Sequence, residues 1–111
     1  MVSNVKITVL ARMSNPDLIE EYAPEDEAGW RVCEHFLEGQ EFVVDVEARK
    51  EFMVDMDTVP KGFCVWAWAA IEKDVSVLAL GGNASWVRKE GTMISCCTDG
   101  LRPMVFKLER I

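Results

Sequence analysis

The stretch GTMISCCTDGLRPMVFKLERI, which runs from Gly91 to Ile111, decides the fold of this chain. It predicts two β-strands, Met93 to Thr98 and Met104 to Glu109, and apolar residues alternate with polar ones along the second. Asp99-Gly100 opens the turn between them, and Pro103 sets the entry to the final strand. The chain is therefore expected to end in an antiparallel β-hairpin whose alternate side chains, starting at Met104, face the core.

Two further strands and one long helix are predicted upstream of this hairpin. Val5 to Arg12 and Glu41 to Val46 both alternate at period two, which indicates half-buried strands. Phe63 to Leu80 is the longest predominantly apolar segment, and its length and alanines favour a helix, with a break near Asp74 as the alternative. Its apolar stripe is expected to hold Cys64, Ala67, Ile71, Val75 and Leu78. Its other side is expected to hold Glu72, Lys73 and Ser76.

Shorter segments complete the prediction. Pro16 to Tyr22 reads as a brief helix, because Pro suits the first helical position and a capping residue precedes it. The acidic run Glu25 to Glu27 reads as a solvated loop. Gly29 to Gly39 fits about two turns of helix, with a loop as the alternative. Residues 1–111 are thus expected to form one α+β domain, a small mainly antiparallel sheet of about four strands with one long and one or two short helices.

The length and net charge of the chain exclude several classes of protein. At 111 residues and 12.5 kDa, with 50% hydrophobic residues, the chain is one domain long enough to bury a core. Its net charge of -7 repels phosphate backbones and anionic lipid, so we expect neither nucleic-acid nor membrane binding. We find no signal-peptide pattern, and the longest apolar run, Phe63 to Ile71, is far shorter than the ~20 residues of a membrane span. A cytoplasmic location is therefore expected.

Four cysteines raise three alternatives: buried thiols, a metal site or redox chemistry. In a reducing cytosol we expect free thiols, and buried, inert ones are the commonest kind. A metal site for zinc or iron would draw on Cys33, His35, Cys64 and Cys96 or Cys97, since three Cys and one His form a standard zinc ligand set. The absence of a C-x2-C pair argues against that site. A reactive thiol would need a lowered pKa, and Cys64, at the expected helix start, is best placed for it.

Two further groups of residues are candidates for binding. Asp99 and Arg102 flank the hairpin turn. In the structural interpretation, Asp99 accepts hydrogen bonds from backbone amides in an Asx-turn, and Arg102 is solvated or ion-paired. The functional interpretation is that Arg102 presents its guanidinium to an anionic group. Trp66, Trp68 and Trp86 with Phe63 form an aromatic set that belongs to the core unless its rings are exposed. Exposed rings would instead line a small-molecule or partner groove.

Three segments, PKGFCVWAW, LGGNASW and CCTDGLRPMVFKLERI, together resemble a family of small bacterial and archaeal proteins that has no assigned activity. The resemblance covers most of the chain after Val32, and the first strand fits as well. It is carried by Cys33, Gly39, Glu41, Phe42, Pro60, Gly62, Cys64, Trp66, Ala67, Gly81, Gly82, Trp86, Cys97, Asp99, Pro103, Val105 and Phe106. Some members of that family have a His four residues after the first Cys, whereas His35 follows Cys33 by two. The resemblance supports the fold and the candidate site and implies no activity.

The sequence thus favours a small cytoplasmic binding or interaction module without catalytic activity. Its expected binding surface lies where the Cys64 helix start meets the hairpin turn, with candidate residues Cys64, Trp66, Trp86, Cys97, Asp99 and Arg102. The alternative is a metal-binding or thiol-redox protein that uses Cys33, Cys64 and Cys97. No cofactor is indicated, and a small molecule and a protein both remain open as partners. Four tryptophans in so short a chain are also compatible with a homodimer that buries some of them.

Overall fold

A computed structural model describes residues 3–24, 32–45, 60 and 62–111. The predicted acidic loop Glu25 to Glu27 and the start of the Gly29 to Gly39 segment lie outside the described residues, as does Val46 of the second predicted strand. The elements, in chain order, are β1 (Val5–Arg12), α1 (Pro16–Tyr22), β2 (Glu41–Val44), α2 (Val65–Ala79), β3 (Thr92–Cys96) and β4 (Met104–Arg110). None of these helices has the length and apolar content that a membrane-spanning helix requires.

The strands form one antiparallel sheet in the order β2-β1-β4-β3, which confirms the predicted α+β class and the C-terminal hairpin. The chain returns to β1 with its last strand, so Val5 pairs with Val44 on one side and with Arg110 on the other. A register shift between Val9 and Ala11 interrupts the β1–β4 ladder. Of the strands in the described residues, β2 and β3 are therefore the two at the edges of the sheet.

The core lies between α2 and one face of the sheet. Alternate residues of β1 and β4 are buried there as predicted, namely Val5, Ile7, Val9, Met104, Phe106 and Leu108. From α2, the buried apolar stripe holds Ala67, Trp68, Ile71, Val75 and Leu78. A cluster of phenylalanine rings continues this core, in which Phe36, Phe63 and Phe106 contact one another at ring-centroid distances of 5.0 to 5.5 Å. Edge-on and tilted contacts of this kind add to the stability that burial of the rings provides.

Three predictions about the helices are corrected or narrowed. The helix α2 runs without a break through Asp74. Ser76, expected on the polar side, is 8% exposed, and its hydroxyl donates to the Glu72 carbonyl at 2.9 Å. This local hydrogen bond satisfies the hydroxyl, so the helix can bury it.

Residues 32–40 contain bends and a turn instead of helix, and Gly39 adopts a φ of 82° at that turn. The loop alternative is therefore correct for this part of the segment.

Candidate functional site

A pocket of about 380 Å³ opens at the end of the domain where α2 begins. Three parts of the chain form it: the loop before β2, the first turn of α2 and the segment that joins β3 to β4. Phe36 and Met104, both buried, contribute apolar surface, and Trp66 stands beside the opening. A cavity of this size with mostly apolar walls is typical of small-molecule sites in proteins.

Three cysteine thiols line this pocket from three distant positions in the sequence. Cys33 comes from the loop, Cys64 from the N-terminal boundary of α2, and Cys97 from the residue after β3. All are free and partly buried. Cys96 is also free but exposed, and it is not among the residues that line the pocket, because successive residues of a strand point to opposite faces. Because side chains alternate along the strand, Cys97 lines the pocket and the adjacent Cys96 lies outside it.

Backbone hydrogen bonds fix the Cys97 thiol relative to β4. The Cys97 amide donates to the Met104 carbonyl at 3.0 Å, and the Met104 amide donates to the Cys97 sulfur at 3.3 Å. The sulfur thus accepts a hydrogen bond from the opposite strand while its side chain borders the pocket.

Cys64 has a different environment. It occupies the N-cap position of α2 with an extended backbone, φ -77° and ψ 126°, and its side chain makes no capping hydrogen bond. Its carbonyl accepts a hydrogen bond from Trp68 N at 2.9 Å, which begins the helix. The partial positive charge at the start of a helix favours an anionic group nearby. The pocket therefore has one wall near the start of a helix of 15 residues.

Asp99 and Arg102, from the segment between β3 and β4, also line the pocket. One carboxylate oxygen of Asp99 accepts hydrogen bonds from the amides of Leu101 at 2.9 Å and Arg102 at 3.2 Å. The other oxygen lies 3.4 Å from Nε of Arg102, so an ion pair joins the two side chains across the turn. This geometry is the Asx-turn and ion pair expected as the structural interpretation, and both residues also line the pocket. The Asn15 side chain donates to the Gly100 carbonyl at 2.6 Å and ties the turn to the start of α1.

The predicted aromatic set divides into two pairs. Phe63 and Trp68 belong to the core, with their rings 6.3 Å apart. Trp66 and Trp86 are 75% and 78% exposed. Of these two, only Trp66 lines the pocket. Exposed indole rings cost free energy in water, so each marks surface that a ligand or partner can cover.

Five of the six residues predicted for binding therefore line one pocket: Cys64, Trp66, Cys97, Asp99 and Arg102. Trp86 does not line it. Sequence reasoning missed Phe36, Met104, Ala67 and Thr98 as pocket residues. The hydrophobic period predicts that Met104 and Ala67 lie in the core, but it does not show whether a buried side chain also borders a cavity. Their only signal was sequence proximity to the cysteines.

The metal-ligand prediction has a separate result. Cys33, Cys64 and Cys97 share the pocket, yet the part of the chain that the structure describes contains no group of three or more His, Cys, Asp or Glu arranged to hold a metal ion. His35 is exposed, and its ring contacts that of Phe36 edge-on at a centroid distance of 4.7 Å. The described residues thus bring the three thiols to one cavity without a preformed ligand geometry around them.

Comparison with known proteins found no matching family model, no matching curated protein and no matching solved structure. The family resemblance carried by the cysteine, glycine and tryptophan segments therefore stays a prediction.

Proposed function

We propose that this protein is a small cytoplasmic binding module without catalytic activity that takes a small, mainly apolar molecule into the pocket at the start of α2. The observation that carries this proposal is the cavity of about 380 Å³, which has apolar walls and only a few polar groups. Volumes of about 300–1,000 Å³ with such walls are typical of ligand sites. The four free thiols agree with a reducing compartment, where disulfides are rare.

The residues of the pocket indicate what kind of molecule fits. Phe36 and Met104 offer apolar surface, and the exposed ring of Trp66 offers a flat face beside the opening. An aromatic or cyclic ligand body would cover that ring and remove apolar area from water at about 25 cal/mol per Å². The Asp99–Arg102 pair supplies polar groups to the lining of the pocket. The expected ligand has an apolar body with one polar or anionic end.

Binding of anilinonaphthalene sulfonate, an aromatic fluorophore with one anionic group, tests this proposal. Two tryptophans of nearly equal exposure provide a matched pair of variants, because Trp66 lines the pocket and Trp86 does not. We expect saturable fluorescence enhancement by the native protein. Trp66→Ala should weaken it about tenfold, which corresponds to about 1.4 kcal/mol of lost contact. Trp86→Ala should leave it unchanged.

Two outcomes would contradict the pocket as a ligand site. One is the absence of saturable binding by the native protein, checked to be folded by circular dichroism. The other is an equal loss in both tryptophan variants, which would mean that the dye covers exposed indoles in general. A crystal structure or amide chemical-shift map with the dye bound should locate it against Phe36 and Cys97 if the proposal is right.

A second function is favoured by one specific observation, the convergence of Cys33, Cys64 and Cys97 on the same cavity. In this alternative the protein is a metal-binding or thiol-redox protein, and soft thiolate ligands would select zinc, copper(I) or iron. Elemental analysis of protein purified without a histidine tag tests the metal form. Stoichiometric metal that is lost in Cys97→Ser and retained in Cys96→Ser would establish it. Four freely titrating thiols and no bound metal would exclude it.

The redox form of the alternative has its own readout. After treatment with glutathione disulfide, mass spectrometry of alkylated peptides should identify an intramolecular disulfide between two of the three pocket cysteines. Cys96, outside the pocket, serves as the internal reference for general thiol oxidation. If mixed disulfides with glutathione form only at Cys96, the pocket thiols are not redox-active. The plain binding module would then stand as the better account.

A further inference from the structure

Among the residues that the structure describes, no strand pairs with the outer side of the edge strand β3. The Gly91 carbonyl accepts a hydrogen bond from the Arg110 amide at 2.8 Å, and the Cys97 amide donates to the Met104 carbonyl at 3.0 Å. The backbone N–H and C=O groups of Gly91 and Cys97 therefore point toward β4. In an antiparallel ladder such residues alternate with residues that face the other way. The backbone N–H and C=O groups of Thr92, Ile94 and Cys96 therefore point away from the sheet at its edge.

Within the described residues, this edge has no charged side chain, proline or bulge that would prevent strand addition. Natural edge strands are blocked by charged side chains, proline, bulges or a covering segment. The five residues of β3, Thr-Met-Ile-Ser-Cys, include no charge and no proline, and the β3–β4 ladder runs in continuous register. Ile94 is 48% exposed on the face opposite the core, and Cys96 is exposed beside it. The strand is thus an uncharged, β-favouring template for another strand.

The geometry and charge of β3 suit a second copy of the same strand. If two β3 strands pair antiparallel about a two-fold axis at Ile94, each outward-facing residue meets another outward-facing residue. Ile94 then lies opposite Ile94 of the second copy, and Thr92 lies opposite the second copy's Cys96. All outward backbone groups of both strands gain hydrogen bonds, and no like charges oppose each other.

The other edge strand, β2, is unsuited to the same pairing. In β2, Glu41 and Val43 face outward, because the alternate residues Phe42 and Val44 face β1. Asp45 follows the strand at the next outward position of this alternation. Antiparallel self-pairing about Val43 would set Glu41 directly opposite Asp45 of the second copy. Like charges directly opposite each other destabilise a strand pair. For a protein with a net charge of -7, an uncharged edge is also where two copies repel least.

We propose that two copies of this chain associate through β3, which joins their sheets into one continuous antiparallel sheet across a two-fold axis at Ile94. The interface is isologous, so each hydrogen bond and each side-chain contact occurs twice. A pairing of five residues from each strand buries less surface than the standard interface of about 1,600 Å². The dimer is therefore expected to dissociate on dilution.

Proline substitution tests this edge with little disturbance of the monomer. The amide of Ile94 faces away from β4, so Ile94→Pro removes a hydrogen-bond donor that only the dimer uses. Because the loss occurs twice and leaves carbonyl acceptors unpaired, we expect the dimer to weaken by about a hundredfold. Val43→Pro is the matched control, since Val43 is 49% exposed, lies on the β2 edge and also faces outward. It should leave self-association unchanged.

Sedimentation velocity and light scattering across a dilution series give the readout. Native protein should show a species of twice the 12.5 kDa chain mass that dissociates as the concentration falls. A mass of one chain at every concentration would overturn the proposal and leave the edge for a different partner. So would equal self-association of the Ile94→Pro and Val43→Pro variants. Circular dichroism of each variant establishes that it is folded.

A cross-link tests the register without relying on proline. In the proposed pairing the two Ile94 Cα atoms lie about 5.5 Å apart, within disulfide range. Ile94→Cys in a Cys96→Ser background should therefore form a covalent dimer in glutathione disulfide. Val43→Cys in the same background should stay monomeric under denaturing, non-reducing electrophoresis. A non-covalent dimer that fails to cross-link at position 94 would overturn the two-fold axis at Ile94.

Discussion

Arg110 and Asn83 are joined by a hydrogen bond of 2.9 Å from the guanidinium to the side-chain oxygen. The same guanidinium donates to the carbonyls of Leu78 at 3.0 Å and Gly82 at 2.8 Å, and Asn83 also accepts from the Gly91 amide at 2.7 Å. A cation beside the last carbonyls of a helix is favourable, because they carry partial negative charge. This contact holds the C-terminus of α2 against the end of β4 and the start of β3.

Removal of this cation should destabilise the domain. We expect Arg110→Met to lower the free energy of unfolding by about 2 kcal/mol, because hydrogen bonds to charged groups contribute more than neutral ones. Urea denaturation followed by circular dichroism measures this change. Arg88→Met is the control, since Arg88 is exposed. Equal stability of the two variants would mean that the Arg110 contacts are replaced by water without cost.

The close approach of Gly82 to α2 gives a second prediction. A Cβ at this position would lie 2.6 Å from a methyl carbon of Val77 and 3.0 Å from its carbonyl oxygen. The Val77 side chain is β-branched and cannot easily rotate away within a helix. Gly82→Ala should therefore cost about 1–3 kcal/mol of folding stability, as overpacking usually does. Gly100→Ala has open space around its Cβ and should fold with nearly native stability in the same thermal melts.

The phenylalanine cluster gives a third prediction. Phe36 is 2% exposed, and its ring lies 5.6 Å from Phe42 and 5.5 Å from Phe106, nearly perpendicular to both. Phe36→Leu keeps an apolar side chain and removes these ring contacts, so we expect a loss of about 1–2 kcal/mol. The neighbouring Leu37 is 65% exposed, and Leu37→Ala should change stability little. Similar denaturation midpoints for both variants would contradict the role of ring geometry.

The hairpin turn gives a fourth prediction, which separates the two roles of Asp99. Asp99→Asn retains an oxygen that can accept from the Leu101 and Arg102 amides, and it removes the ion pair with Arg102. Asp99→Ala removes both. Because Asp99 and Arg102 are partly exposed, we expect the ion pair to contribute less than about 1 kcal/mol. The alanine variant should be about 1 kcal/mol less stable than the asparagine variant. If the two are equal in urea denaturation, the Asx-turn contributes nothing.

Much of this fold follows from local sequence. Period-two alternation identified β1 and β4 and the residues they bury, since a strand with one face in the core must alternate. The DG dipeptide and the proline after it located the hairpin turn. The apolar length of residues 63–80 identified α2 and most of its buried stripe. Ser76 departed from the pattern because a hydrogen bond to the preceding turn satisfies its hydroxyl, which a hydropathy period does not register.

The sequence by itself also determined which residues have chemistry to offer: the thiols, the Asp99–Arg102 pair and the tryptophans. Tertiary structure alone decided which of them meet. Strand alternation turns Cys97 toward the pocket and leaves Cys96 outside, and chain reversal at the hairpin brings Cys97 to the cavity that Cys33 and Cys64 also line. Trp66 and Trp86 are almost equally exposed, yet only Trp66 lines that cavity. The physical reason is that packing of α2 on the sheet fixes distances between segments, whereas sequence patterns specify only the local face of each element.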